Sequence, residues 1–297
     1  MQARLNPFSL YDFLGYFVPG AIFIYGVIYA VSLTTPHLPF HDALAQYLSL
    51  DRLELYIPFV MASYLVGHIL SFVSSATVER FSVWKVGYPS KYLLALPYPR
   101  YFDVEEPKAT RIVVRLLIAV FLGPITVIDL LFGNLLRLRE LYAKPLDPVL
   151  VDMLRRKVTK LVLVKAELPV DAAQRKKLDA GQIDFFRYVY HYTVEHAPAH
   201  LPKMQNYVAL YGLLRTITLI SVAFFWMSVY FLSTGYLTRG AAIGSTVFFS
   251  ILSFVAFLDF SKFYRRFSLE ALMALAAIFP PDETGPHNNS LQRTQPQ

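Results

Sequence analysis

The chain has 297 residues, 55% of them hydrophobic, 15% aromatic and only 16% charged. An ordinary soluble domain carries about 25% charged residues, so the composition argues against water as the sole solvent. With no cysteine, a disulfide framework or a thiolate metal site is excluded. The net charge of +7 would suit nucleic acid, but in so apolar a chain Lys and Arg first report which side of a bilayer a loop occupies.

Four stretches lack Asp, Glu, Lys and Arg throughout: Phe13 to Phe40, Leu55 to Val78, Thr216 to Thr238 and Gly240 to Leu258. Each approaches or exceeds the roughly 20 helical residues that a 30 Å hydrocarbon core takes, which predicts spans near 12–33, 56–76, 209–234 and 241–260. The alternative for the first is a cleaved signal peptide ending near Ala30-Val31-Ser32. Its apolar run is longer than the roughly 7 to 15 residues of such a segment, and Asp12 stands where positive charge belongs.

Between the second and third spans, Ile112 to Leu136 is apolar but carries Arg115, Asp129 and a central Gly123-Pro124 break. Each half is short for a span and suits a re-entrant or interfacial segment. Charge arbitrates. With four spans and both ends cytoplasmic, only Arg52 and Arg239 of the 28 Lys and Arg face outward, whereas a fifth span would export the basic stretch from Arg137 to Lys203. The expected fold class is an all-α membrane protein: four transmembrane helices, a re-entrant or interfacial helical segment, and a mainly helical cytoplasmic insertion. The expected divisions are 1–76, the first helix pair; 77–208, the insertion, containing 112–136; 209–260, the second pair; 261–281, a juxtamembrane helix; and 282–297, a disordered tail. The expected location is a bacterial inner membrane, multi-pass.

Within the insertion, Pro89, Pro97, Pro99 and Pro107 predict an irregular aromatic arm after residue 77. Asp147-Pro148 reads as an N-cap followed by proline in the first helical turn. The helix should run to about Lys165, although VTKLVLV would also suit a strand. Short helices follow at 171–180 and across IDFFRYVYHYTVEH, which Pro198 stops.

No nucleophile elbow, phosphate loop or H-E-x-x-H motif is present, and no cofactor or metal is predicted. His37 and Asp42 have an H-x-x-x-x-D spacing that acyl transfer uses, here in a short outer loop. His191 and Glu195 share a helix face near His196 and His200, so a metal-dependent or other membrane-bound enzyme using His191 and Glu195 is one alternative. In the second span Ser63, Gly67, Ser71 and Ser75 repeat at i,i+4, with His68 beside them. Small residues permit close helix approach in lipid, so this stripe is either packing within one subunit or an oligomer interface or pore lining. Arg215 is a costly intramembrane charge. It either snorkels or pairs, with Asp129, Asp12 and Asp259 as expected partners. Arg155, Arg156, Lys157, Lys160, Arg175, Lys176 and Lys177 cluster where an anionic nucleotide or oligonucleotide could bind, with Tyr188, Tyr190 and Tyr192 available to stack on bases.

The segments SLYDFLGYFVPGAIFIYG and SYLVGHILSFVSS resemble a scattered group of bacterial inner-membrane proteins, some of them similar to membrane effectors of anti-phage systems. The tail NNSLQRT resembles read-through of a mobile-cassette recombination site. The resemblance covers about the first 80 residues and contains no catalytic motif. Together with the residue patterns it leads to the expectation of a homo-oligomeric pore or channel controlled through its basic cytoplasmic region. The remaining alternative is a structural or assembly subunit of a membrane complex, and a cytoplasmic protein is a further candidate partner.

Overall fold

A computed structural model describes residues 12–35, 39–48, 53–97, 101–102, 109–133, 143–165, 172–179 and 181–278. Every regular element among them is helical. Helix α1 is Phe13–Thr34, α2 is Phe40–Leu48 and α3 is Leu53–Ser74. A π-helical turn, Ser75–Glu79, joins α3 directly to α4, Arg80–Val86, and α5 is Pro89–Leu93. Then come α6, Ala109–Phe121; α7, Gly123–Phe132; α8, Pro148–Thr159, extended by a π-helical turn, Lys160–Lys165; α9, Ala172–Asp179; and α10, Phe185–His196. Two long helices complete the chain, α11, Leu201–Thr234, and α12, Arg239–Ile278.

Four helical segments are long and apolar enough to cross a membrane: Phe13–Thr34, Tyr56–Leu93, Pro198–Thr234 and Arg239–Ile278. The pair α6 and α7 also passes on composition but is bent by 85°. The bend falls at Leu122-Gly123-Pro124, where proline removes a backbone donor that a continuing helix needs. Four candidate spans thus stand where the sequence places them, and three of the expected boundaries move. The irregular arm expected from residue 77 is helical through Val86, because the first proline after the span is Pro89. That residue starts α5, where a missing N–H costs nothing. The third span begins at Leu201, since Pro202 lies in the first helical turn. The juxtamembrane helix is the unbroken second half of α12. The ambiguous VTKLVLV is helical, and the Asp147 cap forms, its carboxylate accepting from Val149 N at 2.9 Å. His37 and the tail fall outside the described residues.

Helices α11 and α12 form the central antiparallel hairpin. Gly235 turns it with φ +77°, a conformation that favours glycine, and its N–H caps the Phe231 carbonyl. Counting roughly 20 residues per hydrocarbon core back from Thr234 reaches Arg215, and forward from Arg239 reaches Asp259. The two charges therefore mark one boundary. On the hairpin's flank Leu219, Val222, Phe254, Phe257 and Phe260 bury Val78 and Phe81 of the α3–α4 segment and Leu122 and Ile125 of the bent pair. Beyond the boundary lies a second core, in which Leu272 and Leu275 of α12 meet Leu93, Leu154, Leu161, Phe185 and Val189. The extramembrane lobe is thus built around the projecting half of α12.

Candidate functional site

The site begins with backbone pitch. At Ser75–Glu79 the second helix loosens into a π turn, a form found mostly as short insertions and often at functional sites. There α3 meets α11 at Arg215. The guanidinium donates through Nε to Ser74 Oγ at 3.1 Å, and through Nη2 to the carbonyl and hydroxyl oxygens of Ser71 at 3.3 and 3.2 Å. Nη1 forms a salt bridge to Glu79 Oε2. Ser75 donates to the same carboxylate oxygen at 3.2 Å, and Ser74 Oγ lies 3.4 Å from Thr216 Oγ1. Only 12% of the Arg215 side chain and 24% of the Glu79 side chain are exposed. A guanidinium is charged at every working pH, so Arg215 presents a permanent positive charge at this junction.

The expected Arg215 partners are corrected here: its carboxylate is Glu79. Asp129 instead holds Lys85 at 2.5 Å, and Asp259 pairs with Lys262 at 3.4 Å. The reason is local. The i,i+4 series Ser63, Gly67, Ser71, Ser75 has Glu79 as its next member, and helix continuity through the π turn keeps Glu79 beside Arg215. That series was the signal available in the sequence. An arm assumed irregular from residue 77 concealed it.

The small-residue stripe faces α1 of the same chain. A Cβ on Gly67 would overlap the Tyr16 carbonyl, and one on Gly20 would overlap the Ser63 carbonyl. Ser63 is fully buried there, its hydroxyl without a partner. Farther along, Ser71 and Ser75 serve the Arg215 junction. His68 lies off this packed face: it is exposed, its ring stacking on Tyr16 at 3.7 Å and meeting Tyr64 edge-on at 4.5 Å. On either side of it Met61, Leu65, Ile69 and Phe72 are exposed as well, between 56% and 76%.

The bent pair is tied along both arms and at its apex. Lys85–Asp129 anchors α7 to α4, both side chains about four-fifths buried. Arg115 on α6 donates to the Tyr101 carbonyl, and its guanidinium lies 5.0 Å from the Trp84 ring. Tyr101 donates back to the Arg115 carbonyl at 2.8 Å. Burial pushes the Tyr101 hydroxyl up to about 12 against the opposing pull of Arg115, which keeps it a donor. At the apex Trp226 Nε1 donates to the Phe121 carbonyl at 2.7 Å, satisfying a group that the Gly-Pro break orphans.

The basic ligand candidates divide. Arg155 donates to the Leu94 and Ala95 carbonyls at 2.8 and 2.9 Å, and Lys157 to the Ala276 carbonyl at 2.5 Å, so these two are engaged in the lobe's own architecture. Lys160 is half-buried. Arg156, Arg175, Lys176 and Lys177 are exposed. Of the tyrosines, Tyr188 is exposed, Tyr190 packs on Phe267 and Tyr192 stacks on His196. The His191 group does not converge. His196 turns back to the Tyr192 carbonyl at 3.0 Å, while His200 meets Glu270 at 2.8 Å and shares it with Lys203. Among the described residues no three His, Cys, Asp or Glu side chains are grouped to hold a metal ion.

Against known proteins the chain is isolated: no family model, curated protein or solved structure matches it. The functional reading accordingly rests on residue chemistry and geometry.

Proposed function

We propose that this chain is a non-enzymatic, homo-oligomeric membrane effector of the pore or channel class, controlled from its cytoplasmic lobe. The observation that carries the reading is His68. It lies six residues outward of Ser74, which touches Arg215 at the hydrocarbon boundary, hence roughly 9 Å inside the core at 1.5 Å per residue. An ionisable side chain exposed at that depth is costly against lipid. A second copy or a hydrated lumen relieves the cost, and the exposed stripe beside it offers the contact surface. Oligomerisation through this face replaces the small-residue face, which α1 already occupies.

The bent pair supports the same reading as a re-entrant segment. Helix α7 has 10 residues, about 15 Å of rise, half of a hydrocarbon core. Its Asp129 end is held by Lys85, while its Gly123 end lies against Trp226. Arg115, at the middle of α6, lies over Trp84, the neighbour of Lys85 in α4. These contacts accord with both arms lying on one side, with Leu122 and Ile125 at the apex packed on the hairpin. Broken helices at such depth are tolerated where protein or a water-filled cavity surrounds them, and Leu122 and Ile125 are fully buried. The distribution of Lys and Arg orients the lobe and both termini toward the cytoplasm. Exposed Arg156, Arg175, Lys176 and Lys177 then present a surface to an anionic nucleotide or oligonucleotide. The resemblance of the opening segments to bacterial inner-membrane proteins, some of them similar to membrane effectors of anti-phage systems, accords with such a role.

The test compares the parent chain with His68→Leu in reconstituted vesicles at matched folded amounts, measuring assembly size and ion flux. The reading requires a parent oligomer with measurable flux and a loss of both in the variant. A monomeric parent without flux, or a variant equal to it in both measures, sinks the reading.

A further inference from the structure

A cleft of about 690 Å³ opens in the lobe where the α4–α5 turn, the segment after α9, the start of α10 and the projecting half of α12 meet. We propose that it seats the base of a nucleotide, free or within a short single strand, with the attached phosphate on Lys91 and further phosphates running toward α9. The inference rests on the reading of the lobe as the receiver of an anionic nucleotide, and it gives that ligand a place.

Position favours a soluble ligand over a lipid. Phe267, in one wall, lies on the unbroken α12 beyond Asp259, roughly 12 Å past the hydrocarbon boundary at 1.5 Å per residue. A bilayer of about 40–45 Å with a 30 Å core leaves only roughly 5–7 Å of headgroup on each side. That wall therefore stands clear of the headgroups, and the cleft's volume falls within the roughly 300–1,000 Å³ of small-molecule sites.

The lining suits a base. Phe267 meets Tyr190 with ring centroids 5.7 Å apart and Phe186 edge-on at 5.9 Å, while Tyr88, 49% exposed, lines the cleft from the α4–α5 turn. Rings from three elements offer flat apolar surface on which any base can stack. Ser90, buried in the lining, and Gln182, exposed at the rim, add a hydroxyl and an amide able to donate and accept along a base edge.

Charge places the phosphate. Arg187 and Asp184 face each other at 3.8 Å and nearly cancel, which leaves Lys91 as the net charge of the lining. Its ammonium stands 6.0 Å from the Tyr88 ring centroid and has no salt-bridge partner among the described residues. The cleft also joins the exposed basic helix. Gln182 N donates to the Lys177 carbonyl at 2.9 Å, and the Lys91 stem comes within 3.9 Å of where a Gly181 Cβ would stand. The last turn of α9 thus ends at the cleft rim, where exposed Arg175, Lys176 and Lys177 supply charge for successive phosphates.

The experiment measures fluorescence anisotropy of the full-length chain in detergent with a dye-labelled deoxyadenosine hexamer and an abasic hexamer of equal phosphate count. The hexamer with bases should bind about tenfold more tightly, the scale of one base stack. Tyr88→Ala should remove that advantage and leave abasic binding unchanged. Lys91→Ala should weaken both strands and lower the salt dependence by about one phosphate contact. Both side chains lie at the rim of the cleft, and elution as a folded species controls for stability. Unlabelled deoxyadenosine monophosphate separates the sources: full displacement at matched concentration identifies a free nucleotide, displacement by the unlabelled hexamer alone identifies a strand, and either supports the seat. Equal binding of the two hexamers overturns the proposal and leaves the lobe a basic nucleic-acid surface. Binding of neither overturns it together with the nucleotide reading of the lobe. An advantage that Tyr88→Ala leaves intact, or displacement by phosphatidylglycerol vesicles but not by nucleotides, overturns it as well. Flux does not enter the readout, so these outcomes stand apart from the pore reading.

Discussion

Removing Glu79 alone should destabilise this protein far more than removing Glu79 and Arg215 together. In Glu79→Leu the guanidinium of Arg215, 12% exposed, loses its counter-charge but stays in a low-dielectric setting. Breaking a buried ion pair in this way costs about 3–5 kcal/mol. The low end applies, because Ser71 and Ser74 still accept from Arg215 and Glu79 retains 24% exposure. Arg215→Met strands the carboxylate in turn, at a similar cost of about 3 kcal/mol. The double variant removes both charges and leaves apolar volume, which is often neutral or stabilising. With a neutral double variant the cycle should therefore return a coupling of roughly 6 kcal/mol, the full sum of the two singles. Unfolding in mixed micelles with increasing anionic detergent provides the measurement. Trp84 and Trp226, the two tryptophans of the chain, report from α4 and α11. Additive losses, with the double variant worse than either single by the full sum, would show that the two side chains are not coupled and would refute the junction.

Three further outcomes follow from other contacts. Gly67→Leu forces α1 and α3 apart at the Tyr16 carbonyl and should cost more than the about 1–3 kcal/mol of ordinary overpacking. Phe72→Leu, at a site 76% exposed, should change stability by less than about 0.5 kcal/mol; equal effects would place the stripe elsewhere. Trp226→Phe removes the donor to the Phe121 carbonyl, worth about 1 kcal/mol. It should raise amide exchange at residues 121–126 selectively, and unchanged exchange there would show that the apex is held by other means. Because the chain has no cysteine, Thr238→Cys and Gln182→Cys can be labelled singly with an impermeant thiol reagent in intact cells. Reaction at 238 and protection at 182 is the expected pattern, and the reverse overturns the orientation.

The sequence disclosed what hydrophobicity alone decides. Long uncharged runs marked the four helices because lipid excludes charge from any segment that it surrounds, and Gly123-Pro124 marked the bend because a missing donor is legible from residue type. Pairing was less legible. Arg215 was visible as an expensive charge, but its partner depends on whether the helix persists past Ser75. A π turn of five residues has no compositional signature. Continuity also decides the last helix: the span expected at 241–260 and the juxtamembrane helix expected at 261–281 form one helix, α12, that runs to Ile278, because Leu272 and Leu275 have the lobe to bury against. The basic cluster of α8 read as one surface. In three dimensions Arg155 and Lys157 point into the lobe's own carbonyls, a division set by packing from segments about 60 and 119 residues away.

Charge placement separates the roles of the two regions. Near the hydrocarbon boundary three neutral pairs stand among the described residues, Arg215 with Glu79, Lys85 with Asp129 and Lys262 with Asp259. Each pair lowers the cost of a charge close to lipid, and two of them join separate helices. Such pairs add nothing to the net charge, so the surplus of +7 must be carried elsewhere in the chain. Exposed Arg156, Arg175, Lys176 and Lys177 lie beyond the boundary, where attraction to an anionic leaflet is worth about 1 kcal/mol per residue near the surface and decays within a Debye length. Salt should consequently act on the two regions unequally. Raising ionic strength should weaken lobe contacts with anionic lipid or nucleotide steeply, while leaving the shielded Arg215–Glu79 coupling nearly unchanged. A coupling that fell in parallel with surface binding would mean that water reaches the junction. The pair would then act as an ordinary surface salt bridge rather than as the link between α3 and α11.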